Sequence, residues 1–559
     1  MTSLYYTLTV ALISAAVATI LGTAAAIGIH NMKRKQKKIA MNITYLPVLN
    51  ADIVTGVALM ILFISIKLPL GFITMLLAHI TFEIPYVILS VLPKLKQLNN
   101  NLYEAALDLG AEPWYAFRKV ILPEITPGII SGALLAFTLS LDDFVISFFT
   151  TGSGVSNLSI TIYSMARRGI NPKINALSTL LFLTVLFLLL AINRRTGKTA
   201  ETKVRNKQRK RSFAFKMAAA LLPILIIIVL TGYRRGSEKV TLNVYNWGDY
   251  IDERVISEFE DTYNIKVNYE NFATNEDMYV KIKSGGTNYD VAFPSDYMIS
   301  KMIKEKLLEK IDLNNVPNYS LIDSNFKNLK YDINNEYSVP YMWGTVGIIY
   351  NKKMVKEPVE SWDILWDKKY KKQILMLDSQ RESVGVALQK LGYSLNTRNK
   401  EELEAAKMEL IRQKPLVLAY VGDEIKDKMI AGEAALAVVW SGDAVFMKEQ
   451  NPDLEYVVPK EGSNIFFDAM VIPKTSKHKK EAEIFINFMC ETDVALKNTE
   501  YIGYSTPQTE AKNNLPVETA NDPVAYPDAE VIKRCEVYED LTDMIKEYDR
   551  IWTEVKAAK

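Results

Sequence analysis

Carboxylates, most of them beside aromatic rings, recur at five places in the second half of the chain. Residues 245–250 read Tyr-Asn-Trp-Gly-Asp-Tyr, 294–297 Pro-Ser-Asp-Tyr, 377–382 Leu-Asp-Ser-Gln-Arg-Glu, 439–443 Val-Trp-Ser-Gly-Asp, and 465–468 Ile-Phe-Phe-Asp. Each falls where an apolar run that reads as a strand comes to its end. A ring face attracts an ammonium group by about 0.5–2 kcal/mol when the pair is partly desolvated. A carboxylate adds a charge-assisted hydrogen bond. Together they suit a ligand with apolar methylenes and positive ends. A single Trp-Asp pair is as simply a core ring beside a surface acid, but five clusters at strand ends argue for a shared site. No nucleophile–histidine pairing accompanies them, so no catalytic constellation is expected. The histidines, His30, His79 and His478, are too scattered for a histidine-based metal site. Cys490 and Cys535 allow one disulfide but no CxxC metal pair.

The elements that must position these clusters alternate. VTLNVYNW, from Val240, has strand periodicity, Asp252–Tyr263 has helical spacing, IKVNYENF is a second strand, and DVAFPSDY follows a further helix. Alternating strands and helices predict α/β layers with parallel sheets. The stretch Val240–Lys559 exceeds one ordinary core, so two lobes are expected, with ligand between them or beyond the strand ends.

The first half is a different material. Apolar runs at Tyr5–Gly28, Tyr45–Ile66, Leu70–Leu92, Gly128–Thr150, Ala176–Ile192 and Phe213–Gly232 each approach the roughly 20 residues a membrane span needs. The net charge of +2 argues against a nucleic-acid partner. Lys33, Arg34, Lys35, Lys37 and Lys38 crowd one loop, and Asn193–Arg211 is denser still, so both are expected in the cytoplasm. Arg167, Arg168 and Lys173 in the intervening external loop oppose that count more weakly. Residues 93–127 are then cytoplasmic, and the second half of the chain lies outside. Asp142 and Asp143 sit at the end of a span, where carboxylates are costly and line a cavity or path, or mark the outer interface. Gly197-Lys198-Thr199 imitates the end of a phosphate-binding loop, but Ile192 stands where its first glycine would be.

In the loop 93–127, Glu104, Ala105 and Ala106 open a short helix that Gly110 ends with positive φ. Pro113 begins a second helix, and Leu122-Pro123 stops it. Glu104-Ala105-Ala106, three residues, Gly110, nine residues, then Val120-Ile121-Leu122-Pro123 resembles the EAA loop of ABC-importer permeases, with Val120 where that family usually carries Ile. The resemblance implies that Glu104, Ala105, Ala106, Gly110, Leu122 and Pro123 dock on a separate ATPase subunit. It also implies a second permease subunit, and no cofactor on this chain, since ATP is used by the partner. Residues 139–152 and 159–179 are similar to polyamine-importer permeases in particular.

Val240–Lys559 resembles periplasmic spermidine/putrescine-binding proteins through VYNWGDYI, VPYMWGTVGIIYN, SWDILWD, LQKLGYS, VVPKEGSNIFFD and IGYSTPQ. By that resemblance Trp247, Tyr250, Tyr297, Trp440 and Phe466 pack the ligand's methylenes. Asp249, Glu382 and Asp468 meet its amines, with Ser295 and Tyr504 hydrogen-bonding. Ser379, Phe466 and Gly248 depart from the family pattern, where an acid, a tryptophan and a hydroxyl residue are common, which leaves the choice among amines open.

Lys203–Lys216, the apolar run after it and Leu230-Thr231-Gly232-Tyr233 have the layout of an export signal without a clear cleavage site, and Tyr233 stands where a lipoprotein has its cysteine. The family permease usually has one more span ahead of Tyr5, which implies a truncated or misassigned start, or five spans. The expected architecture is multi-domain: an all-α transmembrane permease over 1–195, a basic linker over 196–212, a transmembrane tether over 213–233, and an α/β two-lobed binding domain over 237–559 outside the plasma membrane. The expected function is polyamine import. The same architecture would serve another cationic solute or a metal chelate, or a membrane-anchored polyamine sensor.

Overall fold

The computed structural model describes residues 2–98, 100–166, 179, 240–248, 250–272, 274–422 and 424–558. The expected spans Ala176–Ile192 and Phe213–Gly232, the basic linker and the Gly197-Lys198-Thr199 sequence lie outside these residues.

Thr2–Asn31, with no charge before His30, forms one helix, α1. It is followed by α2 (Arg34–Leu49), α3 (Asp52–Ser65), α4 (Phe72–Lys96), α5 (Asn100–Asp108), α6 (Pro113–Ala116), α7 (Leu122–Asp142), α8 (Val145–Thr150) and α9 (Leu158–Ala166). Among the described residues three helical stretches are long and apolar enough to cross a membrane, or four if α2 and α3 form one broken span. α1, α4 and α7 close on one another through small residues: a Cβ at Gly22 would stand 2.7 Å from that of Val87, and one at Gly128 2.9 Å from the Ser90 carbonyl. Close backbone approach is what drives helix association where water supplies no hydrophobic force. Ile20 of α1, Leu46 and Leu49 of α2 and Ile53 of α3 are exposed, as contact with lipid requires.

Three sequence expectations are corrected here. Tyr45–Ile66 is not one helix: the chain breaks at Asn50-Ala51 and α2 meets α3 at 106°. Leu122-Pro123 does not stop the helix that Pro113 begins. A π turn over Phe117–Ile121 carries it into α7, and this widened turn takes in Pro123, which has no N–H to complete a regular ladder. Conversely, Gly128–Thr150 is interrupted at Asp143-Phe144, between α7 and α8.

The soluble half contains β1 (Thr241–Trp247), β2 (Lys266–Phe272), β3 (Val291–Ala292), β4 (Leu308–Glu309), β5 (Ser338–Asn351), β6 (Ile374–Leu377), β7 (Val417–Val421), β8 (Leu436–Trp440), β9 (Leu454–Val457) and β10 (Ile465–Pro473), in the order β2-β1-β3-β10-β5-β8-β6-β7. The expected parallel pairing holds for β1 with β2 and β3, and for β6 with β7 and β8. The sheet is nevertheless mixed, because β5 and β10 run antiparallel to their neighbours. β5 serves both lobes: Ser338–Thr345 pair with β10, and Val346–Tyr350 with β8. One lobe packs around Val244, Phe259, Phe293 and Phe485, the other around Ile348, Trp362, Leu375 and Val438. Local signals place the helices. Asp252 accepts from Arg254 N–H at the start of Glu253–Tyr263, and Asn264 ends that helix at φ 55°. The disulfide that two cysteines allow is absent: Cys490 is buried in the first lobe, and both thiols are free.

The two halves touch through the loops that precede α4 and flank α8. The Gly154 N–H donates to Glu270 of β2. The Lys281 ammonium lies 4.7 Å over the Phe148 ring, and Gly286 backs onto Leu70.

Candidate functional site

Asp468 is the centre of the site. It lies at the start of β10, not at a strand end as its sequence cluster suggested. Because β10 is antiparallel to β3, its beginning stands beside the end of β3, and Ser295, just past β3, forms a bridge with Asp468. The Asp468 carboxylate is 5% exposed. Tyr250 donates to one oxygen at 2.7 Å and Ser295 to the other at 2.6 Å. Burial pushes its carboxyl up to about 6, against the pull of these two hydroxyls. Among the described residues no lysine or arginine forms an ion pair with it.

Around this carboxylate the structure gathers most of the expected residues. Tyr250 meets Tyr504 edge-on with ring centroids 5.5 Å apart, and Tyr504 meets Phe466 at 6.1 Å. Tyr341 donates to the Tyr250 carbonyl at 2.6 Å and fixes the turn after β1. Trp247, at the end of β1, packs on Phe272 at 4.6 Å, and its indole N–H has no partner among the described residues. Asp249 lies outside the described residues. Gly344 and Gly442 are glycines by necessity: a Cβ on the first would press on Phe466, and one on the second would enter the Tyr504 ring.

Asn275 and Glu276 belong to this constellation and were not foreseen. Asn275 donates to both Ser295 and Tyr297 at 3.1 Å, and Tyr297 donates to Glu276 at 3.1 Å. Thr274-Asn275-Glu276 reads locally as a helix start, and Thr274 does cap Asn275–Lys283. That structural reading conceals the second use. Asp296 is also buried and pushed up to about 8 by burial. Its oxygens accept the Phe467 and Tyr297 N–H groups at 2.9 and 2.6 Å, so it braces the site without facing a ligand.

The second lobe supplies Glu382 and Trp440. Glu382 is held by the Ser379 hydroxyl, and burial raises its carboxyl. Its neighbour Arg381 does not bridge to it: the guanidinium lies over Tyr538 at 4.3 Å and Tyr297 at 5.8 Å. Trp440 ends β8 opposite Val346, and the next residue, Ser441, accepts the Thr345 N–H at 3.1 Å. Among the described residues neither Glu382 nor Trp440 hydrogen-bonds to Asp468, Ser295 or Tyr250. The site therefore has two walls on two lobes.

In the membrane half, Gly110 takes φ 82° and Pro113 begins α6, as expected, but α5 starts at Asn100, so Glu104, Ala105 and Ala106 lie inside it rather than opening it. Glu104 and Ala105 are exposed beside Leu109 (89%) and Trp114 (70%), an apolar knob left uncovered by the described residues. Ala106 is half-buried, and Leu122 and Pro123 lead into α7. Asp142 is exposed at the end of α7, whereas Asp143 turns inward and accepts the Ile146 and Ser147 N–H groups at 3.2 and 2.7 Å.

Comparison with known proteins matches both halves. Residues 254–527 fit the family described as bacterial extracellular solute-binding protein, and residues 18–198 that described as binding-protein-dependent transport system inner membrane component. The spermidine/putrescine-binding periplasmic protein of Escherichia coli is 38% identical over 321 residues, 57% of this chain and 92% of that protein. The permease protein PotC of the E. coli spermidine/putrescine transport system is 36% identical over 203 residues, 35% of this chain and 77% of that protein. The substrate-binding protein PotD of Streptococcus pneumoniae has a similar structure, with TM-score 0.53 and 46% identity over 57% of this chain and 99% of its own. Both families are transport components, and the permease half makes this a membrane protein. The chain belongs to the ABC importers of the spermidine/putrescine type, with the permease and the solute-binding protein joined in one polypeptide.

Proposed function

We propose that this chain captures a polyamine of the spermidine/putrescine class outside the plasma membrane and passes it through its own permease half. The observation that carries the reading is the buried Asp468 carboxylate, with two hydroxyl donors, the Tyr250, Tyr504 and Phe466 rings gathered beside it, and no lysine or arginine among the described residues paired to it. A buried charge without a counter-ion is expensive. An ammonium group between the lobes removes that cost. Trp247, Tyr250, Tyr297, Trp440, Phe466 and Tyr504 pack the methylenes, Asp468 and Glu382 hold the amines from opposite lobes, Asp249 adds a further charge, and Ser295 orients Asp468.

The contacts between the halves support an external position for the binding half. Leu70, just before α4, Phe148 of α8 and Gly154, between α8 and α9, touch the binding half, whereas the basic stretch 31–40 follows the far end of α1 and α5 follows the far end of α4. Placing the basic loop in the cytoplasm puts the binding half outside. Residues 213–233 then act as a spanning tether that keeps the binding half at high effective concentration over the permease. A separate ATPase grips the exposed Glu104–Pro123 knob, a second permease subunit completes the path, and Asp142 faces that path.

Titration of the purified full chain with putrescine and spermidine by calorimetry tests the reading. Binding tighter than roughly millimolar is expected, and its absence for both amines overturns it. A single band near the full 63.3 kDa in membranes is expected of an uncleaved tether.

A further inference from the structure

α7 stops at Asp142 and the chain restarts as α8 at Val145. One side chain of α4 bridges that break. His79, 1% exposed, places Nδ1 2.7 Å from the Ser140 hydroxyl, in the last turn of α7. Its Nε2 lies 2.8 Å from the Ser147 hydroxyl of α8. Asn157 donates to the same Ser147 oxygen at 2.7 Å and to the Asp143 carbonyl at 3.1 Å. The Asp143 carboxylate lies 3.4 Å from His79 Nε2. On the other flank Ser140 meets Ser14 of α1 at 3.3 Å, and Ser14 donates to Glu83 at 2.7 Å. Glu83 is fully buried one turn beyond His79, and its second oxygen has no partner among the described residues.

Such a network is costly at membrane depth unless it fixes a particular arrangement. It sits where the backbone of a long apolar helix is interrupted, and an interruption there must have its freed groups satisfied by neighbours. A neutral imidazole is suited to the task, because it offers a donor and an acceptor on opposite edges of one rigid ring. The break it spans has a visible product: Asp143 is drawn inward, and Asp142 is left exposed on the other side.

We infer that His79 is a positioning residue for transport, stapling α7 to α8 through Ser140 and Ser147 so that the Asp142 carboxylate is held on the open face of the bundle. The inference rests on the import reading given above. It assigns His79 no contact with the ligand and no role in capture, which belongs to the external half.

Two measurements on the full chain test it together. One is uptake of labelled polyamine by cells carrying the chain with its partner subunits. The other is the distance distribution between spin labels at Thr138 and Ser153, on either side of the break, in the purified chain. His79→Leu, which fills the volume without bonding, should lower the maximal uptake rate roughly tenfold or more and leave the half-saturating concentration within about twofold. It should also broaden the spin-label distribution. His79→Gln, which keeps a donor and an acceptor, should recover both readouts in part. Should His79→Leu fail to reach the membrane, Ser140→Ala and Ser147→Ala carry the test and should each broaden the distribution. A His79→Leu chain with wild-type uptake and wild-type distances overturns the inference, as does a loss confined to the half-saturating concentration. Absence of uptake by the wild-type chain would overturn the import reading instead, and the distance measurement would still decide the staple.

Discussion

Tyr250 and Asp468 are 218 residues apart in the chain and joined by a 2.7 Å hydrogen bond at the heart of the cleft. The phenol's own carbonyl is held by Tyr341, so the donor cannot swing away from the carboxylate. Asp468→Asn keeps the shape and removes the charge. Its loss of affinity for a polyamine should be about 2–4 kcal/mol, because the ligand's ammonium then lacks its buried partner. Tyr250→Phe should cost less, about 1–2 kcal/mol, since only one hydrogen bond to the carboxylate is lost. Calorimetric titration of the two variants checks the order; equal effects would place the charge elsewhere.

Affinity should fall on acidification. Burial pushes the Asp468 carboxyl up to about 6, and a cationic ligand is drawn to its ionised form. Below pH 6 a proton must leave as the amine arrives, which costs up to about tenfold in affinity per pH unit. The empty fold responds with the opposite sign. Its carboxyl holds a proton more tightly than the unfolded one at an ordinary 3.8, so stability falls as pH rises from about 4 to about 6 and then levels. Asp468→Asn should flatten the affinity profile and remove only this carboxyl's part of the stability profile, because Asp296, pushed up to about 8 by burial, keeps its own fall across the same range; titration and thermal melting from pH 4 to 8 read both.

Gly442 gives Tyr504 its place. A Cβ there would overlap the ring, and the ring packs against Tyr250 and Phe466. Gly442→Ala should destabilise the binding half by about 1–3 kcal/mol through overpacking and weaken ligand binding in the same variant, visible as a lower melting temperature and a weaker titration.

Glu276 faces Tyr297 from an exposed position with no lysine or arginine paired to it among the described residues. Glu276→Gln should leave the melting temperature unchanged. If a ligand amine reaches this wall, affinity for the longer triamine should fall more than for the diamine, a comparison that one pair of titrations makes.

Gly110 turns the chain between α5 and α6 at φ 82°. Gly110→Val should strain that turn by about 1–2 kcal/mol and lower uptake while binding by the external half is unchanged. Equal uptake by the variant would remove the knob from the coupling path.

Gly110 and Pro113 are readable from sequence because glycine permits a positive φ and proline fixes its own, and both sit where that property is needed. The bend at Asn50-Ala51 is not. Hydropathy sums over a window, and one Asn in an apolar run does not lower it enough to mark a 106° turn. Pro123 misled in the other direction, because its effect depends on its place in the helix turn. In the external half, the rings and acids point to residues that the fold brings together, but their sequence places Asp468 at the wrong end of its strand. Strand direction is decided by pairing across the sheet, which local residues do not encode. Asn275 and Glu276 escaped notice because a helix start explains their types completely.

β5 has a mechanical consequence. Its fourteen residues exchange partners between Thr345 and Val346, from β10 in one lobe to β8 in the other. The lobes therefore do not swing on a slack connector. They turn on a ribbon laddered at both ends, which resists shear along its hydrogen bonds and yields to twist about its own axis. Glycines at 344 and 347 flank the exchange point, and each backs tightly onto a side chain. A twist of that ribbon would move the walls that carry Asp468 and Glu382 against each other, opposed by the ladder on either side of Thr345.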